Sequence, residues 1–334
     1  MTRVKVGVIG VGRLGQHHAR LYRQLETARL IGVFDADWEV CQGVAVELKI
    51  LAFRQMEDLL NQVDAVSVAT PTATHGRIGR LALQAGVHIF IEKPIADTLA
   101  TADDLINQAR KRGLKIQVGH IERFNPALLA LRGVGLEPRF IESHRLATFD
   151  PRGTDVAVVL DLMIHDLDII INLVKSPIRR IDANGVNVLT DSIDIANVRL
   201  TFDNGCVANV TASRISQKKM RKMRLFQRDV YISVDFLDGI SEIFRLEDVH
   251  EGLEKTPSIG VIGEYRIGGR KKRIVYNQPQ VPGVNALQLE LEGFLKAVAG
   301  GGDPPVTGED GRRALEVAMK VIEEIERQNQ KVTF

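Results

Sequence analysis

Residues 4–15 read Val4-Lys5-Val6-Gly7-Val8-Ile9-Gly10-Val11-Gly12-Arg13-Leu14-Gly15, an apolar run that ends in a glycine-rich turn. The run has the β-branched texture of a strand, and a helical period follows over residues 14–25. A G-x-G-x-x-G between strand and helix is the arrangement that grips a dinucleotide. The first glycine permits the tight turn, the second lets backbone approach a diphosphate, and the third lets helix and strand pack closely. The helix N-terminus then offers free N–H groups and the positive end of its dipole. Alone, such a turn can be purely structural. Asp35 adds the second half of the signal. It ends the next strand-like run, twenty residues after Gly15, where an acid accepts from ribose hydroxyls. Its carboxylate repels a 2′-phosphate, Asp37 sits close by, and Ala36 and Trp38 supply no cation. NAD is therefore expected, with NADP disfavoured. The competing use of Asp35 is to cap the helix that follows.

Outward from that turn, the first 120 residues alternate between two hydrophobic periods. Apolar β-branched runs at 30–34, 65–69, 87–91 and 116–118 are separated by helical periods near 38–48, 55–61, 75–84 and 99–112. Asp97 or Thr98 can cap the last helix, and Gly113 follows its basic final turn. Strands apolar throughout are buried on both faces, so this half predicts a doubly wound parallel α/β sheet. Beyond residue 120 the texture changes. Residues 139–147 are strand-like, 156–174 predict a long apolar helix carrying several acids, and 178–213 predict antiparallel sheet. Asn204-Gly205 between two β-rich runs is a hairpin signal. Strands at 230–236 and 273–276 and helices near 283–298 and 309–329 complete the chain. Two domains are expected, 1–119 and 120–334.

The composition excludes several classes. Over 334 residues, 45% hydrophobic and 26% charged residues rule out a disordered chain. A net charge of +2 gives no global field for nucleic acid. No apolar run approaches the roughly 18 residues of a membrane span. Cys41 and Cys206 cannot build a disulfide framework, which fits a reducing cytoplasm.

Two places carry candidate chemistry. Residues 89–91 lead into Glu92-Lys93-Pro94, so Lys93 falls at the carboxyl end of a strand, the ligand side of such a sheet. Pro94 restricts the backbone of Lys93 to extended forms. A solvated loop lysine is the plain alternative. On the predicted helix at 156–174, Asp161, His165 and Asp168 stand at i, i+4 and i+7, a polar stripe on an otherwise apolar cylinder. Burying that many ionisable groups without partners is costly, so the stripe lines a cavity or pairs with something. A carboxylate four residues before a histidine can orient the imidazole and stabilise its charged form. A hydrogen-bonded core histidine is one alternative. A metal set of Asp161, His165 and Asp168 is another, ranked lower because hydride transfer to nicotinamide needs no metal.

At this point the sequence resembles the Gfo/Idh/MocA family of NAD(P)-dependent sugar and polyol oxidoreductases. The resemblance rests on Gly10-Val11-Gly12-Arg13-Leu14-Gly15, Ala69-Thr70-Pro71 with His75, Glu92-Lys93-Pro94, Arg123-Phe124-Asn125-Pro126, and Asp161…His165 with Asp168. It implies an N-terminal Rossmann domain and a C-terminal α/β domain with a large, mostly antiparallel sheet. That sheet's outer face would form a homodimer or homotetramer. Gly10, Gly12, Arg13, Leu14, Gly15, Asp35, Thr70, Pro71, His75, Glu92 and Lys93 would bind cofactor. Lys93, Arg123, Asn125, Asp161 and His165 would meet substrate, with Lys93, Asp161 and His165 catalytic and no metal. Residues 119–126 look most like the branch that oxidises the 3-hydroxyl of UDP-N-acetylhexosamines such as UDP-N-acetylglucosamine. One departure is the run Asp155-Val156-Ala157-Val158-Val159-Leu160, which lacks the glycines many members carry there.

Two basic clusters, residues 218–224 and 270–273, could grip a diphosphate, although a charge run is more often a solvated face. The expected activity is NAD-dependent oxidation of a secondary sugar hydroxyl, with hydride leaving for nicotinamide. His165 would take the hydroxyl proton, helped by Asp161, and Lys93 would bond the reacting oxygen. A positively charged nicotinamide nearby would favour neutral Lys93. The rivals are a free polyol, inositol or aldose dehydrogenase, and a non-catalytic NAD-binding sensor. No nucleic-acid or membrane partner is expected.

Overall fold

The structure, a computed structural model, describes residues 3–150, 156–249, 260–280 and 283–330. The chain divides into two compact units, 1–121 with 285–316 and 122–284 with 317–334.

In the first unit six strands lie in parallel: β1 (Val4–Ile9), β2 (Ala28–Phe34), β3 (Leu51–Ala52), β4 (Ala65–Val68), β5 (His88–Glu92) and β6 (Ile116–Gly119). Their spatial order is β3-β2-β1-β4-β5-β6, with every pairing parallel. Helices α1 (Arg13–Gln24), α2 (Trp38–Leu48), α3 (Met56–Leu60), α4 (Thr72–Gln84) and α5 (Leu99–Arg112) make the crossovers. β4 is buried at all four positions, the mark of a strand covered on both faces. The order reverses between β1 and β4, which puts the ligand crevice outside the carboxyl ends of the strands. Local chemistry sets the helix ends. Asp37 caps α2 by accepting from the backbone N–H groups of Glu39 and Val40. Thr98 rather than Asp97 caps α5, and Gly113 closes it in the left-handed region at φ 66°.

The second unit starts with the short helix α6 (Pro126–Leu129) and strand β7 (Phe140–Leu146), followed by α7 (Ile164–Val174). Then come β8 (Ile178–Val186), β9 (Ile195–Phe202), β10 (Val207–Ser213), β11 (Met220–Gln227), β12 (Val230–Asp235), β13 (Ile240–Asp248), β14 (Gly260–Ile267) and β15 (Arg270–Asn277). With β7 they form one nine-stranded sheet in the order β14-β15-β13-β12-β11-β7-β10-β9-β8. Only β7 and β10 run parallel. One face buries Ile141, Leu225, Ile232 and Ile243. The other carries Phe140, Phe226, Tyr231, Phe244 and Tyr276 opposite one another across five strands, their ring centroids 5.0–5.7 Å apart. Asn204-Gly205 makes the β9–β10 hairpin, with Gly205 at φ 84°.

Two further helices follow, α8 (Ala286–Val298) and α9 (Gly308–Asn329). They correct the expectation that 120–334 forms one domain. Leu291, Phe294 and Leu295 of α8 bury in the same core as Val6, Val8, Tyr22 and Phe90, so residues 285–316 belong to the first unit. Phe294 meets Phe90 edge-on at 5.9 Å. The helix expected at 156–174 is also modified. A π-helical turn, Val159–Met163, precedes α7. No helix among the described residues is long and apolar enough to cross a membrane.

The turn between β8 and β9 is organised by one carboxylate. Buried Asp194 accepts from the backbone N–H groups of Val188, Leu189 and Thr190 and from the Thr190 hydroxyl, at 2.7–3.0 Å. Burial alone would raise its pKa, but these donors outweigh burial and bring it down to about 2. A carboxylate with a lowered native pKa stabilises the fold fully above its ordinary value of 3.8, and that stability fades as pH falls towards about 2. Asp194→Asn is expected to cost roughly 2 kcal/mol at neutral pH. The gap to wild type, measured by denaturant melts, should narrow between pH 4 and pH 2. A gap that stays constant with pH would refute this assignment.

Candidate active site

The glycine-rich turn is dictated by close approaches. Gly10 sits at φ 84°, and a Cβ there would meet Thr70 Cγ2 at 2.6 Å and Ala69 O at 2.7 Å. A Cβ on Gly15 would lie 1.8 Å from Gly10 O, so α1 can start this near β1 only with glycine at that position. A Cβ on Gly12 would meet nothing within 4 Å, and α1 has neither a side-chain cap nor an acid in its first turn. That combination of open space and uncapped N–H groups suits a diphosphate. Arg13 and Leu14 are exposed on this first turn. Asp35 turns back onto the loop: the Val11 N–H donates to its Oδ2 at 2.6 Å and the Asp37 N–H to its Oδ1 at 2.9 Å. Capping α2 thus falls to Asp37, and Asp35 is held against the glycine-rich turn. Local sequence did not reveal a cation that strand register brings level with Asp35. Val33 pairs with Ala52, so Arg54 comes level with Asp35 just beyond β3. Its guanidinium lies 4.0 Å from the centroid of the Trp38 ring.

Thr70, Pro71 and His75 follow β4, and Glu92, Lys93 and Pro94 follow or end β5, on the same edge of the sheet as Gly10. Lys93 is half-buried, and the Lys93–Pro94 peptide is cis. His75 is buried, with Nδ1 2.9 Å from Pro94 O and Nε2 2.8 Å from Thr70 O. Burial pushes its pKa below the ordinary value, against the pull of those two carbonyls. Glu92 points its carboxylate inward, 3.1 Å from Nε2 of the buried His18 on α1. His75 and Glu92, expected to bind cofactor, direct these groups at the protein itself, His75 at the Thr70 and Pro94 carbonyls and Glu92 at His18.

In the second unit, Asp161 lies in the π-helical turn and His165 in the first turn of α7, both half-exposed among buried Met163 and Ile164. A π turn shifts side-chain register and is a frequent feature of functional sites. Asp168 is only 2% exposed and binds Arg123 in a two-pronged pair at 2.6 and 2.7 Å. Asn125 caps α6 through its Oδ1 and donates to Glu122 and to Phe236 O, each at 3.0 Å. Asp155 of the glycine-less run lies outside the described residues.

The sequence reasoning missed the ionic cluster beneath α7. Arg145 on β7, 2% exposed, donates to Asp166 at 2.6 Å and to Glu122 at 2.8 Å, while the Ser143 hydroxyl donates to Asp166 at 2.9 Å. Burial would lower the pKa of Arg145, but the two carboxylates more than offset it and raise it. The cluster anchors the residue next to His165. Its signal lay in strand parity: Ile141, Ser143 and Arg145 share the buried face, and an arginine placed there requires carboxylates. The basic clusters read differently. Lys222 pairs with Asp235, Arg224 with Glu142, Lys271 with Glu264 and Arg273 with Glu247. Arg221 alone among these shares the face of Met223 and Leu225, and it reaches Glu122 at 3.5 Å.

Comparison with known proteins identifies the family. Residues 4–120 match the oxidoreductase family, NAD-binding Rossmann fold, and residues 137–232 match the GFO/IDH/MocA C-terminal domain. The chain is 40% identical over 322 residues to UDP-N-acetylglucosamine 3-dehydrogenase of Acidithiobacillus ferrooxidans, covering 96% of this chain and 97% of that protein. The solved structure of that enzyme superposes with a TM-score of 0.86 at 39% identity, covering 98% of this chain and 99% of the other. A scyllo-inositol 2-dehydrogenase of Bacillus subtilis is 28% identical over 341 residues, covering 95% and 92%. With its glycine-rich turn, its Glu92-Lys93-Pro94 strand end and a two-unit architecture matched in both parts, this chain belongs to the Gfo/Idh/MocA family of NAD-binding oxidoreductases.

Proposed function

We propose that the protein oxidises the 3-hydroxyl of a UDP-N-acetylhexosamine to a ketone, with NAD as acceptor. The observation that carries this reading is the 40% identity to the UDP-N-acetylglucosamine enzyme, which spans both units. The 28% likeness to an inositol dehydrogenase keeps a free polyol as the second reading.

The residues present fit NAD. Gly10, Gly12, Arg13, Leu14 and Gly15 would hold the diphosphate and Asp35 the ribose hydroxyls, with Thr70, Pro71 and Lys93 along the edge beyond; His75 and Glu92, whose polar groups face the protein's own atoms, would stand behind that edge without holding the cofactor. When bound, the cofactor supplies a hydride acceptor. Lys93 donates a hydrogen bond to the reacting oxygen as it gains negative charge, and His165 removes the hydroxyl proton with Asp161 orienting its ring. Arg123 and Asn125 remain in the proposed substrate set. A cytoplasmic location belongs to the same reading, supported by Cys41 and Cys206, both buried and unlinked. The aromatic ladder of the nine-stranded sheet supports a homodimer or homotetramer through that face. Five rings, each half-exposed, form an apolar strip of the kind that marks an interface.

With NAD, UDP-N-acetylglucosamine is expected to yield a 3-keto sugar, followed by nicotinamide absorbance and product mass, while inositols and free aldoses stay inert. In the same assay Lys93→Ala and His165→Ala should keep NAD binding but lose about 10²–10⁴-fold in turnover. Efficient use of a free polyol with UDP-sugars inert would move the protein to the second reading.

Asp35→Ala is expected to weaken NAD binding and improve NADP binding, because it removes the repelling carboxylate and leaves Arg54 level with the ribose. Calorimetry with both cofactors checks this, and unchanged affinities would displace the ribose from Asp35.

Phe226→Lys with Phe244→Lys places charge in the ladder. Light scattering is expected to show a smaller species than wild type. An unchanged mass, whether oligomeric or monomeric, would refute the sheet interface.

A further inference from the structure

A hydrogen-bond donor acts on a reacting oxygen only when its backbone is held to a fraction of an ångström, and lysine has a long, rotatable side chain. The residues on either side of Lys93 each face a buried imidazole from a different helix. On one side, Glu92 Oε1 lies 3.1 Å from Nε2 of His18 in α1. The same ring sits 3.2 Å through Nδ1 from the Ser67 hydroxyl, which is 2.8 Å from the Tyr22 hydroxyl, and it meets Phe90 edge-on at 5.2 Å. His18, Tyr22, Ser67 and Phe90 are all fully buried. On the other side, the Pro94 carbonyl faces Nδ1 of His75 in α4, whose Nε2 faces the Thr70 carbonyl.

The Glu92 carboxylate occupies the space that glycine leaves open at position 119. Gly119 pairs with Glu92 across β5 and β6, and a Cβ there would lie 2.7 Å from Glu92 Oε2. Burying two imidazoles and a carboxylate is expensive unless partners are fixed in advance. Here the partners are backbone and side-chain groups immediately before and after the one lysine of the strand end. The arrangement also joins three loops: α1 leads from the glycine-rich turn, Thr70 belongs to the turn after β4, and Glu92-Lys93-Pro94 is the turn after β5.

We infer that His18 and His75 are positioning residues for Lys93, clamping the chain through the Glu92 carboxylate on one side and the Pro94 carbonyl on the other. The inference rests on the role proposed for Lys93. Neither imidazole is assigned a contact with the reacting atoms.

The test compares His18→Leu, His75→Leu, the conservative His18→Gln and Gly119→Ala, each alone and combined with Lys93→Ala. Gly119→Ala keeps both imidazoles and displaces the Glu92 carboxylate, so it serves even where a leucine variant fails to fold. Turnover of UDP-N-acetylglucosamine, its KM, NAD affinity by calorimetry and the melting temperature are measured for every variant. In the presence of Lys93, His18→Leu, His75→Leu and Gly119→Ala should each lower kcat roughly 10–100-fold. KM and NAD affinity should stay within about threefold, and His18→Gln should recover most of the loss, since these changes touch positioning rather than uniform binding. Combined with Lys93→Ala, the same changes should cost less than about threefold, because residues that act through one group are not additive. Equal losses with and without Lys93, or NAD affinity falling in step with kcat, would overturn the inference and leave two merely structural histidines. Wild-type turnover by Lys93→Ala alone would instead remove the reading beneath it, and the inference would fall with that reading.

Discussion

The distance between α1 and the turn that leaves β1 governs the whole cofactor edge. With a Cβ at Gly15 only 1.8 Å from Gly10 O, any other residue would push the helix outward. That approach points the first N–H groups of α1 at the space beside Gly12. It also sets what lies farther along the same helix. Gly15, His18, Ala19 and Tyr22 are the buried residues of α1, spaced as one face of a helix. The face that needs glycine at its start thus brings the His18 imidazole to Ser67 and Glu92 one turn on and the Tyr22 phenol to Ser67 two turns on. The proposed diphosphate site and the proposed support of Lys93 both rest on that one packing distance. It links the glycine pattern to the Glu92-Lys93-Pro94 element, more than seventy residues away in sequence.

In the second unit the equivalent constraint is electrostatic. Four ionisable residues lie within eight positions of the π turn and α7, and they divide by burial. Asp166 and Asp168 are 1% and 2% exposed, each answered by an arginine, whereas Asp161 and His165 stay half-exposed. Regular helical spacing would set Asp161, His165 and Asp168 on one stripe. The π turn before α7 breaks that uniform register, and Asp168 goes to Arg123. A buried carboxylate whose arginine is removed costs several kcal/mol, so the paired acids hold the helix rather than serve chemistry.

Much of the first unit was legible because a parallel sheet buried on both faces leaves an unambiguous pattern of apolar runs between helical periods. Spacing placed Asp35 at the end of β2, where it meets the glycine-rich turn. That Asp37 caps α2 and frees Asp35 required the geometry, since both acids precede the helix equally well. Arg54 was invisible because it reaches the site through strand register, not through sequence proximity. The second unit was read less completely. Asn204-Gly205 announced its hairpin, but β11 carries Met220-Arg221-Lys222-Met223-Arg224, which reads as a charge run until its neighbours supply Glu142 and Asp235. Asp238-Gly239 before β13 and Gly268-Gly269 between β14 and β15 are turn signals of the same kind, and the sequence reading passed over them. The apolar face of α8 was clear, but amphipathic periodicity tells that a face is buried and not which sheet buries it. Hence the return of residues 285–316 to the first unit could not be read.

The basic residues show how poorly charge density predicts importance. The chain carries 44 Lys and Arg against 42 acids, and its two densest basic runs spend their charge on exposed cross-strand pairs. Such pairs are worth at most about 1 kcal/mol each, because water and salt screen them and long side chains lose freedom in forming them. Arg145 has no basic neighbour beyond His144, yet it is the residue on which Asp166 and Glu122 both depend. Removing it would leave Asp166 with only the Ser143 hydroxyl and Glu122 with Asn125 and Arg221, at a cost of about 3–5 kcal/mol for a broken buried pair. Arg221 is the exception within its run, since strand parity turns it to the helix-covered face and towards the same Glu122. A cation's weight in this fold therefore follows the face of the strand it occupies and the water it displaces, and the run in which it appears says little about either.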